Sequence, residues 1–282
     1  MRQFKAGMLC FMSAVVLSAC EKSEDSEAEQ ALKNVNVIDE SNLNDIMLTA
    51  SDPDEAVAYF QRTSRENPER LDLQRGLAKS LIRARRATEG AVIWSRIVEH
   101  EDATHEDKIA YADALIRNSE WKKAEATLNS VPPTIENFNR YRLEAMIADS
   151  NKQWKKADSF YETAADLTTQ PANVLNNWGY SKLTRGEYKE AERLFSEAIT
   201  YDPRMFTAKN NLVLARGAQK NYTLPLIRVS QSERAQLLHT MALAAVKQGD
   251  LDIGKTLLGQ AIETHPQHFE AAVRSLRKLE NG

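Results

Sequence analysis

Cysteine is almost absent from this chain of 282 residues, since Cys10 and Cys20 are its two cysteines and both lie near the N-terminus. A disulfide framework in the body of the protein is therefore excluded. Glycine and proline are also scarce, at ten and eight residues, whereas Ala, Leu, Glu, Lys and Arg are abundant. Such a composition is typical of helical proteins. The net charge is −3, whereas nucleic-acid-binding proteins normally carry an excess of basic residues, so this function is disfavoured.

The sequence signatures of the common enzyme classes are missing as well. The chain contains no GxSxG, GxGxxG, P-loop or HExxH motif. A pair of distant carboxylates of the glycosidase kind is not excluded by sequence. His265 and His268 lie close together, but without an evident acidic or thiolate partner we interpret both as structural or surface residues. We predict a non-enzymatic protein with no cofactor and no metal site.

The N-terminus has the pattern of an export signal. Arg2 and Lys5 precede an apolar run at residues 6–17, which is too short for an ordinary membrane span and suits a secretory signal. The run ends in Leu17-Ser18-Ala19-Cys20. This stretch resembles the bacterial lipobox, in which the signal is cut before the cysteine and that cysteine is lipidated. An ordinary signal peptide with a chance cysteine is the alternative. We predict a lipoprotein signal peptide at residues 1–19 and lipidation, such as palmitate, at Cys20.

The residues after Cys20 indicate in which membrane the protein is anchored and that a flexible segment follows the anchor. Glu21 follows the cysteine, and in lipoproteins generally an Asp at this position favours retention at the inner membrane. The resemblance therefore implies the outer membrane, with the protein on its periplasmic face. The segment EKSEDSEAEQ is acidic and lacks aromatic residues, as flexible segments do. We predict that residues 20–42 form a flexible tether.

A repeating pattern fills the rest of the chain, and its clearest copy is NNWGYSKLTRGEYKEAERLFSEAITYDP at residues 176–203. Gly179 and Ala191 are small where two helices would cross, and Gly186 would end the first helix with a positive φ. Ala191 and Phe195 share one face of the second helix, which Pro203 would end. This spacing is that of the tetratricopeptide repeat.

The same pattern recurs with steps of 33 or 34 residues, first at four earlier positions and then, after an interruption, once more. The small crossing residues are Ala56, Gly90, Ala124, Ala157, Ala191 and Gly254. Four residues after each comes a large apolar residue: Phe60, Trp94, Leu128, Tyr161, Phe195 and Leu258. We predict an all-α, right-handed tetratricopeptide-repeat superhelix over residues 43–282. It would contain about six to seven helical hairpins, with a capping helix from about Phe269 to Leu279.

Three places depart from the pattern. The first unit, around residues 43–68, matches it well only in its second helix. Pro132 and Pro133 would cut a second helix short, since proline does not continue a helix. Pro225 occupies an expected crossing position, so residues 221–231 are predicted to be an extended loop that interrupts the repeats. The next helix would begin near Ser232 as its N-cap. The four tryptophans lie at or beside repeat positions, and we interpret them as packing residues.

Extended repeat surfaces of this kind bind partner segments along the first helices. The candidate partner-binding residues on these helices are Asn139, Arg142, Asn173, Asn176, Tyr180 and Asn210. Asparagine is a weak helix former, so the recurrence of Asn176-Asn177 as Asn210-Asn211 does not serve helix stability. An amide both donates and accepts hydrogen bonds and so suits a peptide backbone. The alternative, that one Asn of each pair bonds the backbone of a neighbouring helix inside the stack, stays open for Asn177 and Asn211. Groove exposure is favoured for Asn176, Asn210 and Tyr180.

Three stretches carry a more specific resemblance: NNWGYSKLTRGEYKEAE at 176–192, NNLVLARGAQKNYTLPL at 210–226, and ERAQLLHTMALAAVKQGDLDIGKTLLGQAIETHPQHFEAA at 233–272. Together they resemble the tetratricopeptide lipoprotein of the tight-adherence (Tad, or Flp pilus) secretion system. The resemblance implies an outer-membrane scaffold or pilotin-like assembly factor whose partner is a secretin or another pilus-assembly subunit. The alternative function is that of a periplasmic adaptor for cell-wall enzymes or for outer-membrane protein assembly.

Overall fold

The computed structural model describes residues 43–281, and every regular element within that range is a helix. A short helix at residues 43–49 (α1) comes first. The longer helices that follow are α2 (Pro53–Glu66), α3 (Leu71–Arg83), α4 (Ala87–Ile97), α5 (His105–Arg117), α6 (Trp121–Asn129), α7 (Phe138–Ser150), α8 (Trp154–Asp166), α9 (Ala172–Thr184), α10 (Tyr188–Tyr201), α11 (Phe206–Ala218), α12 (Gln231–Lys247), α13 (Leu251–Thr264) and α14 (Glu270–Glu280). The predicted signal peptide (1–19), Cys20 and the tether (20–42) lie outside the described residues, so their boundaries stay predictions.

The helices form two compact units, which divide within α4 between Ile93 and Trp94. In the second unit consecutive helices pack as hairpins, namely α5 with α6, α7 with α8, α9 with α10 and α12 with α13. Helix α14 packs on α13 and begins within one residue of the predicted start of the capping helix. Over residues 43–281, no helix has both the length and the apolar character needed to cross a membrane.

In the first unit, α1 to α3 are held by a cap, an aromatic side chain and an arginine. Asp52 accepts hydrogen bonds from the first turn of α2, whose first residue is Pro53. Phe60 on α2 is buried against Gly76 on α3, where an added Cβ would lie 2.4 Å from the phenyl ring. At the end of α3, Arg83 donates to the carbonyl oxygens of residues 47 and 51, at 2.9 and 2.8 Å.

In every repeat after the first, a left-handed residue ends the first helix five positions before the crossing position of the sequence pattern. These residues have φ between +57° and +86° and are Arg85, Ser119, Lys152, Gly186, Lys220 and Gly249. The following N–H closes the helix end; for example, the N–H of Glu187 donates to the carbonyl of Lys182 at 3.0 Å. The predicted positive φ at Gly186 is confirmed. Four repeats make the same turn without glycine, which the sequence pattern does not reveal.

The packing positions predicted from the repeat are confirmed. The crossing residues Ala56, Ala124, Ala157 and Ala191 are fully buried, and the large residues four positions later are at most 2% exposed. At Gly179 an added Cβ would lie 2.7 Å from Cε1 of Phe195, so the first and second helices of this repeat touch where the sequence requires a small residue.

The second helix that precedes Pro132 is short, as predicted. Helix α6 ends at Asn129, and residues 130–137 form a loop. The buried guanidinium of Arg140 holds this loop, because its Nη1 donates to the carbonyl oxygens of Pro132 and Ile135, the latter at 3.1 Å. Its Nε also donates to Glu144 at 2.8 Å.

The repeat that begins with α11 has no second helix, which confirms the predicted interruption. Residues 219–230 are non-helical, and Leu224, Ile227 and Val229 pack against the buried residues of α12 and α13. The predicted N-cap at Ser232 is wrong, because Ser230 caps α12. Its hydroxyl accepts from the N–H of Glu233, whose carboxylate accepts from the N–H of Ser230 at 2.8 Å. This reciprocal pair requires a glutamate three residues after the cap, a spacing that Ser230 has and Ser232 lacks.

Candidate binding groove

A cavity of about 500 Å³ opens on the first helices of the second unit, between α7, α9 and α11. We call it the central cavity. Its lining residues are Trp121, Met146, Asp149, Ser150, Trp154, Tyr161, Asn176, Asn177, Tyr180, Ser181, Thr184, Thr207 and Asn211. Their character is aromatic and amide rather than ionic, since Asp149 is the one charged side chain among these described residues.

A second cavity of about 530 Å³ adjoins the central cavity and shares Trp121, Met146 and Asn177 with it. We call it the Arg142 cavity, and the two together the groove. Its other lining residues are Asp113, Ile116, Arg117, Phe138, Asn139, Arg142 and Asn173. The groove therefore runs across the first helices α5, α7, α9 and α11, which is the surface on which the sequence predicts partner binding.

The predicted site residues divide between the two cavities. Asn176 and Tyr180 line the central cavity, and Asn139, Arg142 and Asn173 line the Arg142 cavity, whereas the described cavities do not include Asn210. The side chain of Tyr180 is 54% exposed. That these residues bind a partner stays a prediction.

The recurring asparagines also connect the first helices to one another. Asn211 is buried, and its Nδ2 donates to Oδ1 of Asn176 at 3.0 Å. Oδ1 of Asn210 accepts from the hydroxyl of Thr240 on α12 at 2.7 Å. Asn211 therefore bonds inside the stack, but to a side chain and not to the helix backbone that the alternative specifies. Within residues 43–281, Nδ2 of Asn176 has no hydrogen-bond partner and can still donate to a ligand.

Asp149 is the charged residue that lines the central cavity. Its Oδ2 accepts from the hydroxyl of Tyr161 at 3.0 Å and its Oδ1 from the hydroxyl of Ser181 at 2.7 Å. Burial raises the pKa of Asp149, and the two hydroxyl donors only partly oppose that effect. Burial also raises the pKa of Tyr161 well above its ordinary value, and the neighbouring carboxylate adds to the rise.

A second carboxylate, Asp158, fixes α8 to α9 behind the cavity. It accepts from Nε1 of Trp178 at 2.7 Å, from Lys182 at 3.0 Å and from Arg185 at 2.6 Å. Burial alone would raise the pKa of Asp158, but the Arg185, Lys182 and Trp178 donors outweigh it and lower that pKa. Arg185 also lies 5.4 Å from the ring centroid of Trp154. This network holds the walls of the central cavity in position.

Arg142 is already neutralised within the fold. Its Nη2 lies 3.1 Å from Oδ1 of Asp113, whose other oxygen pairs with Arg117 at 2.6 Å. Its side chain is 15% exposed. We infer that Arg142 contributes shape and hydrogen bonding to its cavity more than free positive charge.

Sequence reasoning missed Trp121, Trp154 and Asp149 as groove residues. The interpretation of the tryptophans as buried packing residues holds for Trp94, which is 2% exposed, and fails for Trp154, which is 37% exposed and lines the central cavity. A signal was present, because an aromatic residue recurs three positions before the crossing residue at 121, 154 and 188. Those positions begin the second helices, and Trp121 and Trp154 line the groove, whereas Tyr188 does not. Asp149 has no comparable sequence signal.

The histidines near the C-terminus are engaged in local contacts. His265 stacks on Phe269 with ring centroids 4.9 Å apart. His268 lies 2.9 Å from the carboxylate of Glu270, so an acidic partner is present that the sequence analysis does not identify. Across residues 43–281, no group of three or more His, Cys, Asp or Glu side chains has the geometry to hold a metal ion.

Comparison with known proteins agrees with the repeat and the fold. A family model described as tetratricopeptide repeat matches residues 47–104 and 176–224. Tetratricopeptide repeat protein 21B of Mus musculus is 28% identical over 125 residues, covering 41% of this chain and 10% of the mouse protein. The APC/C hetero-tetramer Cut9-Hcn1 superposes with a TM-score of 0.59 at 13% identity, covering 84% of this chain and 48% of that chain. A tetratricopeptide repeat protein from Parabacteroides merdae superposes with a TM-score of 0.54 at 14% identity, covering 91% and 100% of the two chains.

These comparisons support the fold class of the chain. The chain spans about a tenth of the length of its mouse relative and about half of the Cut9-Hcn1 chain, and its likeness to the solved structures concerns the fold alone. The family model places tetratricopeptide repeats at residues 47–104 and 176–224, and the predicted all-α repeat fold is confirmed for the described residues. A fold of this class supports the binding of protein partners.

Proposed function

We propose that this protein is a non-catalytic scaffold that holds an extended segment of a partner protein in the groove. The observation that carries the proposal is the groove itself, in which amide groups and aromatic rings from consecutive first helices line two adjoining cavities. Amides pair with a peptide backbone whatever its sequence, and aromatic walls accept apolar side-chain surface. Nδ2 of Asn176 and the exposed ring of Tyr180 are the groups best placed for these contacts.

The partner we propose is a secretin or another assembly subunit of a Tad (Flp pilus) secretion system. The support is the resemblance of residues 176–192, 210–226 and 233–272 to the lipoprotein of that system. These stretches form α9, the start of α10, α11, the interruption, α12 and α13. The Leu-Pro-Leu part of the interruption adds specificity, because a generic repeat has a helix there. The two leucines of this stretch differ in burial, since Leu224 packs against the core and Leu226 is fully exposed.

We further propose that Cys20 anchors the protein to the periplasmic face of the outer membrane, with residues 20–42 as the tether. Two or more acyl chains on one cysteine would hold it there stably, since each buried CH₂ contributes about 0.8 kcal/mol. Cys20→Ser should abolish labelling with radioactive palmitate and release the protein from the membrane fraction. Palmitate labelling that persists in this variant would refute lipidation at Cys20.

Deletion of the gene tests the pilus role. We expect loss of surface Flp fibrils and a lower level of secretin multimers, because the secretin would lack its assembly factor. The wild-type gene should restore both, whereas Tyr180→Ala should restore the protein level but fewer fibrils. Tyr201→Ala is the matched control, since Tyr201 is equally exposed at 54% but lies away from the groove. Normal fibrils in the deletion strain would refute the proposal.

A further inference from the structure

Asp149 on α7 has no direct ion pair in the described part of the chain, although Arg185 attracts its carboxylate from a longer distance. Its two oxygens accept from the Tyr161 and Ser181 hydroxyls, and within residues 43–281 no cationic side chain forms an ion pair with it. The other half-buried carboxylates of this region differ. Asp158 pairs with Lys182 and Arg185, and Asp113 pairs with Arg117 and Arg142. Asp149 alone of these lines the central cavity.

An unpaired carboxylate in such a cavity is energetically unfavourable. A partly buried charge loses hydration, and hydroxyl donors replace only part of it. The raised pKa of Asp149 has burial as its main cause and agrees with this reading. A cation that enters the cavity would restore the lost stabilisation. The arrangement therefore favours a positively charged ligand group.

The walls of the central cavity suit a group with an apolar stem and a cationic head. Trp121, Tyr180 and Met146 line the approach to Asp149, and aromatic faces attract ammonium and guanidinium groups. One such contact exists already within the fold, where Arg185 lies 5.4 Å from the ring centroid of Trp154. Lysine and arginine have stems that pack on apolar walls while their heads reach a polar partner.

We propose that the central cavity is a specificity pocket for a lysine or arginine side chain of the partner segment, with Asp149 as the counter-ion and Trp121 and Tyr180 as walls. This inference rests on the proposed function, because it presupposes a peptide segment in the groove. It adds the chemistry of one residue in that segment. Asn176 and Asn177, which line the same cavity, would then contact the backbone on either side of the basic residue.

A phage-displayed library of random peptides, panned on the full-length protein in detergent, tests this pocket. We expect the enriched peptides to share a basic residue. For one enriched peptide, replacement of that residue with norleucine, which keeps the apolar stem, should lower the affinity about tenfold. The affinity of the basic peptide should also fall with rising salt, and that of the norleucine peptide should not.

Protein variants assign the preference to Asp149. Asp149→Asn should remove the tenfold preference for the basic peptide while the norleucine peptide binds as before. Tyr180→Ala, at an exposed position that the fold does not need, should weaken the basic peptide about threefold. Asp166→Asn removes the same charge from an exposed position on α8, and Tyr201→Ala removes an equally exposed ring; both should bind like the wild type.

The outcomes separate this inference from the function on which it rests. Enriched peptides without a shared basic residue, or a basic preference that survives Asp149→Asn, would overturn the pocket and leave peptide binding in place. Failure to enrich any peptide that requires the groove residues would overturn both.

Discussion

Asn211 and Asn176 lie one repeat apart, and Nδ2 of the first donates to Oδ1 of the second at 3.0 Å. This bond joins α11 to α9 at the edge of the central cavity. The two residues have different exposure, because Asn211 is buried and Asn176 is half-buried. Asn176 thus has one polar atom directed to the stack and another available to a ligand. The same residue contributes to the stability of the fold and to the candidate site.

Asn176→Ala should therefore destabilise the protein as well as weaken partner binding. It removes the acceptor of a buried amide, which costs about 1–3 kcal/mol of the free energy of unfolding. Asn173→Ala is the matched control, because Asn173 lies on the same helix and is exposed. It should change that free energy by less than about 0.5 kcal/mol. Urea denaturation of the two variants checks this, and equal midpoints would contradict the bond.

Two glycine substitutions test the close helix contact in the clearest repeat. Gly179→Ala places a Cβ 2.7 Å from Phe195, and we expect a loss of about 1–3 kcal/mol in the free energy of unfolding. Gly259→Ala on α13 meets no atom within 4 Å. It should stabilise the protein by about 0.5–1 kcal/mol, because alanine favours the helix. Thermal unfolding distinguishes them by the opposite signs of their Tm changes; a Tm change of the same sign in both would refute the packing argument.

At the left-handed turns, glycine should be more stabilising than a residue with a side chain. Lys152 is exposed and has φ +57°, so Lys152→Gly should stabilise the protein by about 0.5–1 kcal/mol. Gly186 has φ +80° at the equivalent position, and Gly186→Ala should destabilise by about 1–2 kcal/mol. Chemical denaturation gives both values. A destabilised Lys152→Gly variant would contradict the assigned turn.

His239 should make the C-terminal end of the chain sensitive to mild acid. Burial lowers the pKa of this histidine below its ordinary value of 6.5. Its ring contacts Phe269, the N-cap of the capping helix α14, and Ser275 within that helix. The unfolded chain would bind a proton first as the pH falls below about 6.5. Stability is therefore complete above that value and is lost as the pH falls through the folded pKa. The free energy of unfolding should decline over this window in the wild type and less in His239→Gln; parallel curves would refute the role of His239.

The repeat could be predicted from sequence because packing imposes it on every unit. Ala124, Ala157 and Ala191 must be small, and Leu128, Tyr161 and Phe195 must fill the space beside them, so residue size alone reveals their burial. Pro132 and Pro225 are equally informative, since proline is not tolerated in a helix beyond its first turn. The observed N-cap of α12 lies two residues before the predicted Ser232, because Ser230 and Glu233 form a reciprocal pair of hydrogen bonds.

The candidate site could be predicted only in part. Asn176 and Tyr180 stood out because the repeat does not require them, and both line the central cavity. Trp154 did not stand out, because an aromatic residue beside a crossing position can be buried or can face the groove, and only the three-dimensional arrangement decides between these. Asp149 is an ordinary acidic residue near a helix end in the sequence. Its position beside Tyr161 and Ser181 depends on contacts between helices α7, α8 and α9.

Site-specific photo-crosslinking in living cells tests directly whether the groove binds a Tad assembly subunit. A benzophenone amino acid in place of Tyr180 lies in the central cavity, and the same group in place of Tyr201 is the matched control. We expect irradiation to link position 180 to a secretin or another Tad assembly subunit, identified by mass spectrometry. Position 201 should give no such product. No crosslinked partner at position 180, identical products at both positions, or a cell-wall enzyme as the partner would contradict it.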